Sequence, residues 1–219
     1  MTELQDAGRV ILIDKPRSWT SFDVVKKLRY ALNVKKIGHA GTLDPLATGL
    51  LILCTGKMTK RIESFQAMEK EYTGEIVIGK VTPSYDLETE VENVCDTAHI
   101  QDSDITAAAK EFKGLIEQVP PQYSAVKVDG KRAYKSARKG EKVEIKPRKV
   151  EITVFEVDRL GVDRIAFRVV CSKGTYIRSL AHDFGQVLGT GAYLAELRRT
   201  RIGDFHVDNA QTIDEITAA

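Results

Sequence analysis

A single aspartate stands in an apolar loop of this 219-residue chain, within the stretch GHAGTLDPLATGLLILCTGK at residues 38–57. Asp44 lies between Leu43 and Pro45, and Leu46 follows closely. Pro45 disfavours helical geometry at the residue before it, so the Asp44 side chain should project from a stiff loop. Apolar neighbours raise the pKa of a carboxyl group unless a cation or several donors hold its ionised form. A carboxylate kept ionised in such a place is a candidate nucleophile.

An ordinary turn is the alternative for Asp44, because Asp-Pro pairs commonly start turns and most carry no chemistry. The spacing alone favours that turn. Glycoside hydrolysis by two carboxylates needs a second acid within about 10 Å, whereas the loop supplies no other Asp or Glu between Asp23 and Glu63. Metal-dependent hydrolysis needs clustered histidines and acids, which are missing here. An isolated ionised carboxylate suits attack on a substrate whose leaving group never departs.

Composition narrows the class of protein further. No apolar run approaches the roughly 20 residues of a membrane-spanning helix, and the N-terminus lacks the basic and apolar regions of a secretory signal. Three cysteines without a CxxC pair argue against a disulfide framework or a zinc site. The segments 49–57 and 189–194 each miss the spacing of a phosphate-binding motif. We therefore expect a cytoplasmic protein with no membrane segment and no metal site.

Charge is segregated along the chain although its net value is only +2. Ten Lys/Arg face three acids from Lys127 to Lys149, a local net of +7, with Lys127, Lys131 and Arg132 at its start. Seven acids and no Lys or Arg occur from Thr82 to Asp104, a local net of −7. Such a basic stretch could bind a phosphate backbone, or it could be an ordinary solvated surface. Charge alone does not separate these two interpretations.

Apolar patterns predict the elements that would position Asp44. Ser21 is a candidate helix cap, and Phe22, Val25, Leu28 and Leu32 share one helical face. The predicted order to residue 78 is a strand at 9–14, that helix, the loop 35–48, a buried strand at 49–54, a short helix at 59–68 and an alternating strand at 71–78.

The second half continues with the same mixture of elements. The pattern predicts a helix capped by Ser103 and ended by Gly114, a helix at 133–139, an antiparallel hairpin of 151–157 with 164–171, helices at 176–188 and 192–199, and a last strand at 202–207. Strands outnumber well-formed βαβ units, which favours an α+β class with a mixed, mainly antiparallel sheet flanked by helices. No repeat or linker is visible, so a single domain over 1–219 is predicted.

Several blocks resemble the TruB-type tRNA pseudouridine synthases. The stretch around Asp44 is similar to the family signature GHxGTLDPLAxGxL, and four further blocks follow the family pattern in the same order: DKPRSWTSFDVV, KEYTGEIVIGKVTPSYD, QVPPQYSAVKVDGKRAYKSARKGEKVE and CSKGTYIRSLAHDFGQVLGTGAYLAELRRTRIG. Together they extend from Asp14 to Gly203. The resemblance overrides the turn interpretation of Asp44, and it implies the pseudouridine synthase fold with a central RNA-binding cleft.

The resemblance also implies an activity. The family isomerises a uridine at position 55 in the T-loop of tRNA to pseudouridine, by breaking the C–N glycosidic bond, turning the base and rejoining it through C5. Because the base is recaptured, neither a second carboxylate nor a hydrolytic water is needed, and no cofactor or metal is implied. Attack by the aspartate on the sugar and attack on the base both remain open.

Individual residues take roles by matching the family motifs. Asp44 matches the catalytic aspartate, Arg178 the arginine that pairs with it, and Tyr72 the tyrosine that stacks on the target uracil. Flipping a base costs a few kcal/mol of unstacking, and His39 matches a histidine that holds the loop afterwards. Lys15 and Leu197 match residues that line the pocket. The basic segment 127–149 lies where the family binds RNA, which favours phosphate contacts there.

Departures from the family pattern bear on binding and on rival functions. TPSYD at 82–86 replaces the commoner TDTxD, so Asp86 keeps its place without the preceding acid and we assign it no role. The chain stops about 16 residues beyond Gly203, and we expect a short, monomeric form without the PUA domain of many relatives and with weaker tRNA binding. The alternatives are a tRNA-folding chaperone and the catalytic subunit of a guide-RNA particle.

Overall fold

The computed structural model describes residues 8–218. Its strands in chain order are β1 Val10–Lys15, β2 Ile37–His39, β3 Thr48–Thr55, β4 Lys70–Ile78, β5 Lys80–Val81, β6 Asn93–Val94, β7 Gly114–Gln118, β8 Lys127–Val128, β9 Lys131–Arg132, β10 Arg148–Arg159, β11 Arg164–Cys171, β12 Ala192–Ile202 and β13 Phe205–His206. Its α-helices are α1 Ser21–Ala31, α2 Ile62–Ala67, α3 Asp102–Glu111, α4 Ala133–Ala137, α5 Ile177–Val187 and α6 Ile213–Ala218. The predicted absence of a secretory signal concerns mainly residues 1–7, outside the described part.

The predicted helix at Ser21 forms, but its cap and its buried face differ from expectation. Thr20 is the cap, because its hydroxyl accepts from the Asp23 amide while the Asp23 carboxylate accepts from the Thr20 amide. The prediction that Phe22 lies on the buried face was wrong, since its side chain is 68% exposed. Val24 occupies the core instead, and at 100° per residue a core-facing Val24 turns Phe22 toward solvent.

The predicted helix at 192–199 was wrong, because these residues form most of strand β12. Alanine, leucine, glutamate and arginine favour helix in isolation. Here tertiary pairing overrides that preference: β12 runs parallel to β3 at Arg199↔Gly49 and antiparallel to β13 at Ile202↔Phe205. The predicted last strand is accordingly divided between the end of β12 and β13. The short strands β2, β5, β6, β7, β8 and β9 and the helix α6 were not predicted.

The chain separates into two compact units. The terminal unit contains the described residues up to Thr73 and from Leu197 onward, and the central unit is Gly74–Glu196. In the terminal unit, β3 pairs with β1 and β2 in antiparallel fashion. Leu51 and Leu53 of β3 pack in a core with α1 and α6, whereas the alternate residues of the strand pack in a second core with Phe65 of α2. Burial on both faces explains the unbroken aliphatic run of β3.

The central unit is built on the predicted antiparallel hairpin. β11 pairs with β10 and β10 with β7. Four phenylalanines join the hairpin to the helices, with ring centroids 5.8–6.4 Å apart: Phe112 after α3, Phe155 in β10, Phe167 in β11 and Phe184 in α5. This aromatic core fixes α5 against the sheet strands. The mainly antiparallel pairing with flanking helices confirms the predicted α+β class.

Candidate active site

Asp44 lies in the loop between β2 and β3 of the terminal unit. Its side chain is half-buried, and the neighbouring Leu43 and Ala47 are 3% and 2% exposed. The Ala47 amide donates to the Asp44 carbonyl over 3.1 Å, which closes a tight turn. Asp44 therefore starts a tight turn within an apolar loop, so the turn that its Asp-Pro pair predicts does form around the candidate nucleophile.

The loop is anchored on both sides of Asp44 by the segment that precedes and begins α1. The buried Ser21 hydroxyl accepts from the Leu43 amide at 2.9 Å and donates to the Leu43 carbonyl at 3.2 Å. The Ser18 amide donates to the Pro45 carbonyl at 2.8 Å. The Ser21 contacts satisfy the buried backbone groups of Leu43, which would otherwise be costly. All three contacts restrict the position of the catalytic candidate.

Lys15 is fully buried in the terminal unit rather than exposed in an open pocket. Its ammonium donates to the carbonyls of Pro16 at 2.8 Å, Trp19 at 2.7 Å and Pro45 at 3.4 Å. Burial lowers the pKa of Lys15 to about 8, while the carboxylate of Asp44 opposes this shift. Lys15 is thus close enough to Asp44 to interact with its charge, and its donors hold the loop through Pro45.

Arg199 of β12 is a buried cation that the sequence analysis did not identify. Its side chain is 1% exposed, its Nε donates to the Leu50 carbonyl at 2.7 Å, and its Nη2 donates to the Gly41 carbonyl at 3.1 Å. The guanidinium therefore connects the two ends of the Asp44 loop. The incorrect helix prediction for 192–199 concealed it, because a helix lacks the strand pairing with β3 that brings Arg199 to this loop.

The other predicted residues of the terminal unit lie on its strands. His39 ends β2, where burial and the charge of Arg199 both lower its pKa, so the imidazole is neutral at pH 7. Tyr72 is buried in β4, and Leu197 is half-buried in β12. The Thr200 hydroxyl donates to the carboxylate of Glu71 at 3.0 Å, which ties β12 to the residue beside Tyr72. The fold thus places Lys15, His39, Asp44, Tyr72 and Leu197 in one unit.

Arg178 lies in the central unit, in the first turn of α5. Its Nε is 3.6 Å from Asp86 Oδ2, and the two side chains are 5% and 8% exposed. Its Nη1 donates to the Ser84 carbonyl at 3.3 Å. Asp86, to which sequence analysis assigned no role, is therefore the buried counter-ion of this arginine. The predicted pairing of Arg178 with Asp44 stays a prediction.

The predicted RNA-binding cations lie on a small exposed hairpin of the central unit. Lys127 of β8 pairs directly with Arg132 of β9, and Val128 pairs with Lys131. Asp129 and Gly130 form the turn, both with positive φ. Like charges directly opposite each other destabilise a strand pair. This hairpin is therefore suited to an anionic ligand that compensates the repulsion.

Residues 8–218 contain no cluster of three or more His, Cys, Asp or Glu side chains that could hold a metal ion. Within the same range, every helix is too short or too polar to cross a bilayer.

Comparison with known proteins assigns the family. A model described as "TruB family pseudouridylate synthase (N terminal domain)" matches residues 29–177, and one described as "tRNA pseudouridylate synthase B C-terminal domain" matches residues 178–219. The chain belongs to the TruB family. The tRNA pseudouridine synthase B of Flavobacterium johnsoniae is 56% identical over 210 residues, covering 93% of this chain and 92% of that protein. The protein of the same name from Chloroherpeton thalassium is 50% identical, covering 95% and 89%.

Solved structures confirm the pseudouridine synthase fold. A chain in the crystal structure of a Cbf5-Nop10-Gar1 complex superposes with a TM-score of 0.76 at 32% identity, covering 98% of this TruB-family chain and 54% of that one. A chain in the structure of an H/ACA RNP bound to a substrate RNA containing 2'-deoxyuridine gives a TM-score of 0.74 at 29% identity, covering 99% and 54%. The chain spans about half the length of these structural relatives.

Proposed function

We propose that this chain isomerises uridine to pseudouridine at position 55 in the T-loop of tRNA. The observation that carries the proposal is family membership with high identity to proteins named tRNA pseudouridine synthase B. The stiff, anchored loop that presents Asp44 supports it, because covalent catalysis requires the nucleophile in one place.

The reaction exchanges one bond of the ribose for another. The bond from C1′ to N1 of uracil breaks, the base turns, a bond from C1′ to C5 forms, and the proton of C5 is lost while N1 gains one. No atom enters or leaves overall, so no oxidant, water or cofactor is required. Asp44 is the nucleophile: its carboxylate forms a transient bond to the sugar or to the base. That bond breaks again before pseudouridine leaves, which regenerates the free carboxylate.

The remaining residues position the nucleotide. Tyr72 stacks on the everted uracil and assists proton movement, Leu197 lines the pocket, and neutral His39 holds the T-loop after flipping. Lys15 acts from within the protein, through its hydrogen bond to Pro45. Arg178 pairs with Asp44, as the family resemblance implies. Stacking and edge contacts of this kind are how proteins usually recognise single-stranded RNA loops.

The tRNA partner is bound electrostatically by the central unit. Lys127, Lys131 and Arg132 present three exposed cations on one hairpin, where phosphates relieve the repulsion between the directly paired Lys127 and Arg132. We propose that the enzyme acts as a monomer and a single catalytic domain in the cytoplasm. Its three cysteines are free thiols, which suits a reducing compartment.

A catalytic subunit of a guide-RNA particle is the second candidate, favoured by the fold shared with chains in the Cbf5 and H/ACA RNP structures. The identity is far higher to the bacterial relatives, at 56% against 32%. We therefore propose activity on tRNA without a guide.

The deciding experiment incubates the purified protein with unmodified tRNA transcript alone and maps pseudouridine by chemical sequencing. Product at position 55 from wild type, absent with Asp44→Asn, is the expected result. Both proteins should bind the transcript with equal affinity, because Asn preserves the shape of the side chain. No product from wild type would reject the activity, and product that depends on added guide RNA would favour the particle.

A tRNA-folding chaperone function can be distinguished from the enzyme activity with the same two proteins. A protein whose main role is folding would improve the aminoacylation of misfolded tRNA equally well as wild type and as Asp44→Asn. The enzyme proposal requires in addition that the pseudouridine yield depend on the carboxylate.

A further inference from the structure

Residues Ser84–Asp86, called here the SYD segment, are held against α5 by contacts from two residues one helical turn apart. Arg178 donates to the Ser84 carbonyl and is ion-paired with Asp86. His182, four residues further along the helix, stacks on Tyr85 with ring centroids 3.9 Å apart and an interplanar angle of 12°. All three residues of the segment are therefore in contact with the same face of α5.

The backbone of Tyr85 adopts a conformation that large side chains rarely take. Its φ is +64°, in the left-handed region. Hydrogen bonds on either side maintain it: the Leu194 amide donates to the Tyr85 carbonyl at 2.9 Å, and the Thr82 hydroxyl donates to the Asp86 carbonyl at 2.7 Å. Glycine would take this φ without strain. The side chain of Tyr85 must therefore contribute something that offsets the strain.

The imidazole of His182, on which Tyr85 stacks, is also unfavourable to bury. Nδ1 of His182 is buried without a hydrogen-bond partner in the described part of the chain. Burial lowers the pKa of His182, so the stacked ring is neutral at pH 7. Burial raises the pKa of the adjacent Asp183 to about 6, and burial together with Asp183 raises the pKa of Tyr85. A strained backbone and an unsatisfied imidazole thus meet in one contact, as is typical of functional rather than purely structural sites.

We propose that the Tyr85–His182 stack is a positioning device for Arg178, acting through Asp86. The inference rests on the proposed function, in which Arg178 acts on the nucleotide pocket. An arginine side chain has several rotatable bonds, and Asp86 restricts its guanidinium. The Asp86 carboxylate accepts from the Glu88 amide at 2.9 Å, and its backbone bridges to Leu194. The stack adds the contact that holds the residue directly before Asp86 on α5. Loss of the stack should leave the fold intact and misdirect the guanidinium.

Three substitutions at Tyr85 separate the ring from the backbone. Tyr85→Phe keeps the stack, Tyr85→Ala loses the stack and keeps the strain, and Tyr85→Gly loses the stack and relieves the strain. We expect Tyr85→Gly to melt no lower than Tyr85→Ala. We also expect both to form pseudouridine about tenfold or more slowly in single turnover with saturating enzyme, with little change in tRNA affinity. Tyr85→Phe should retain wild-type rate.

Substitutions at His182, the other ring of the stack, give an independent measurement. His182→Phe preserves a stacking ring and should retain activity, whereas His182→Ala should resemble Tyr85→Gly. The double variant Tyr85→Gly with His182→Ala should be no slower than either single variant, because both remove one interaction. Val187→Ala, on the exposed end of the same helix, is the control for general damage to α5.

The outcomes distinguish this inference from the proposed function. Wild-type rate in Tyr85→Gly would overturn the positioning role while wild type continues to make pseudouridine. A slow rate explained entirely by weaker tRNA binding would also overturn it. Absence of product from wild type would instead reject the function itself.

Discussion

Two adjacent arginines of β12 show how strongly burial determines the contribution of a charged side chain to stability. Arg199 is enclosed and donates to the Leu50 and Gly41 carbonyls. Arg198 forms two hydrogen bonds with Asp14, at 3.0 and 2.7 Å, but the two side chains stay partly open to solvent, at 41% and 30% exposure. Exposed ion pairs contribute little, whereas buried groups left without a partner are costly. The neighbours should therefore differ sharply in their effect on stability.

Arg199→Met should lower the free energy of unfolding by about 3 kcal/mol, because it removes the donors of the buried Leu50 carbonyl and the part-buried Gly41 carbonyl. Arg198→Met should change it by about 1 kcal/mol or less. Urea unfolding of the two variants beside wild type measures both values. Equal losses would show that Arg199 does not hold the Asp44 loop in the way its hydrogen bonds indicate.

At the scale of elements, the pairing of β3 with β12 depends on how closely the two backbones can approach each other. Gly49 has φ +98°, and a Cβ there would lie 2.3 Å from the Arg199 carbonyl oxygen and 2.8 Å from its amide nitrogen. The parallel pairing of the two strands therefore requires glycine at this position. This pairing also carries Arg199 to the loop of Asp44, so local backbone geometry and the candidate site are linked.

Gly49→Ala should destabilise the protein by about 4 kcal/mol, because the strands must move apart. Gly140→Ala is the matched control: its φ is +76°, and no atom lies within 4 Å of the added Cβ. It should cost about 1 kcal/mol, the strain of the left-handed conformation alone. Thermal unfolding of both variants tests the difference, and similar melting temperatures would contradict the close approach of β12.

At the scale of the whole molecule, the distribution of charge along the chain matters more for RNA binding than the net charge does. The chain carries a net charge of +2, yet the central unit contains both the acidic segment 82–104 and the basic segment 127–149. The two segments meet in an ion pair between Glu88 and Arg138, 3.0 Å apart and exposed. Such a pair contributes little and competes weakly with phosphates, so most of the basic segment remains available to RNA.

Binding of tRNA should therefore weaken steeply as salt rises. The slope of log affinity against log salt should become shallower by about two when Lys127, Lys131 and Arg132 are all replaced by Gln. Lys113→Gln, an exposed cation outside the basic segment, should leave the slope unchanged. Filter binding across a salt series gives these slopes, and identical slopes for the triple variant and wild type would remove the basic hairpin from the RNA interface.

The sequence alone determined the α+β class, the loop of Asp44, the long antiparallel hairpin and the helix that carries Arg178. These features depend on nearby residues: alternation, turn chemistry and motif spacing act within a few positions. Only the tertiary structure placed Ala192–Ile202 in a strand, exposed Phe22, buried Lys15 and Arg199 and gave Arg178 the counter-ion Asp86. Arg199 meets its two acceptors 149 and 158 positions away, and Arg178 meets Ser84 94 positions away. Strand pairing and the solvation of a buried charge are set by such distant groups, which local pattern does not specify.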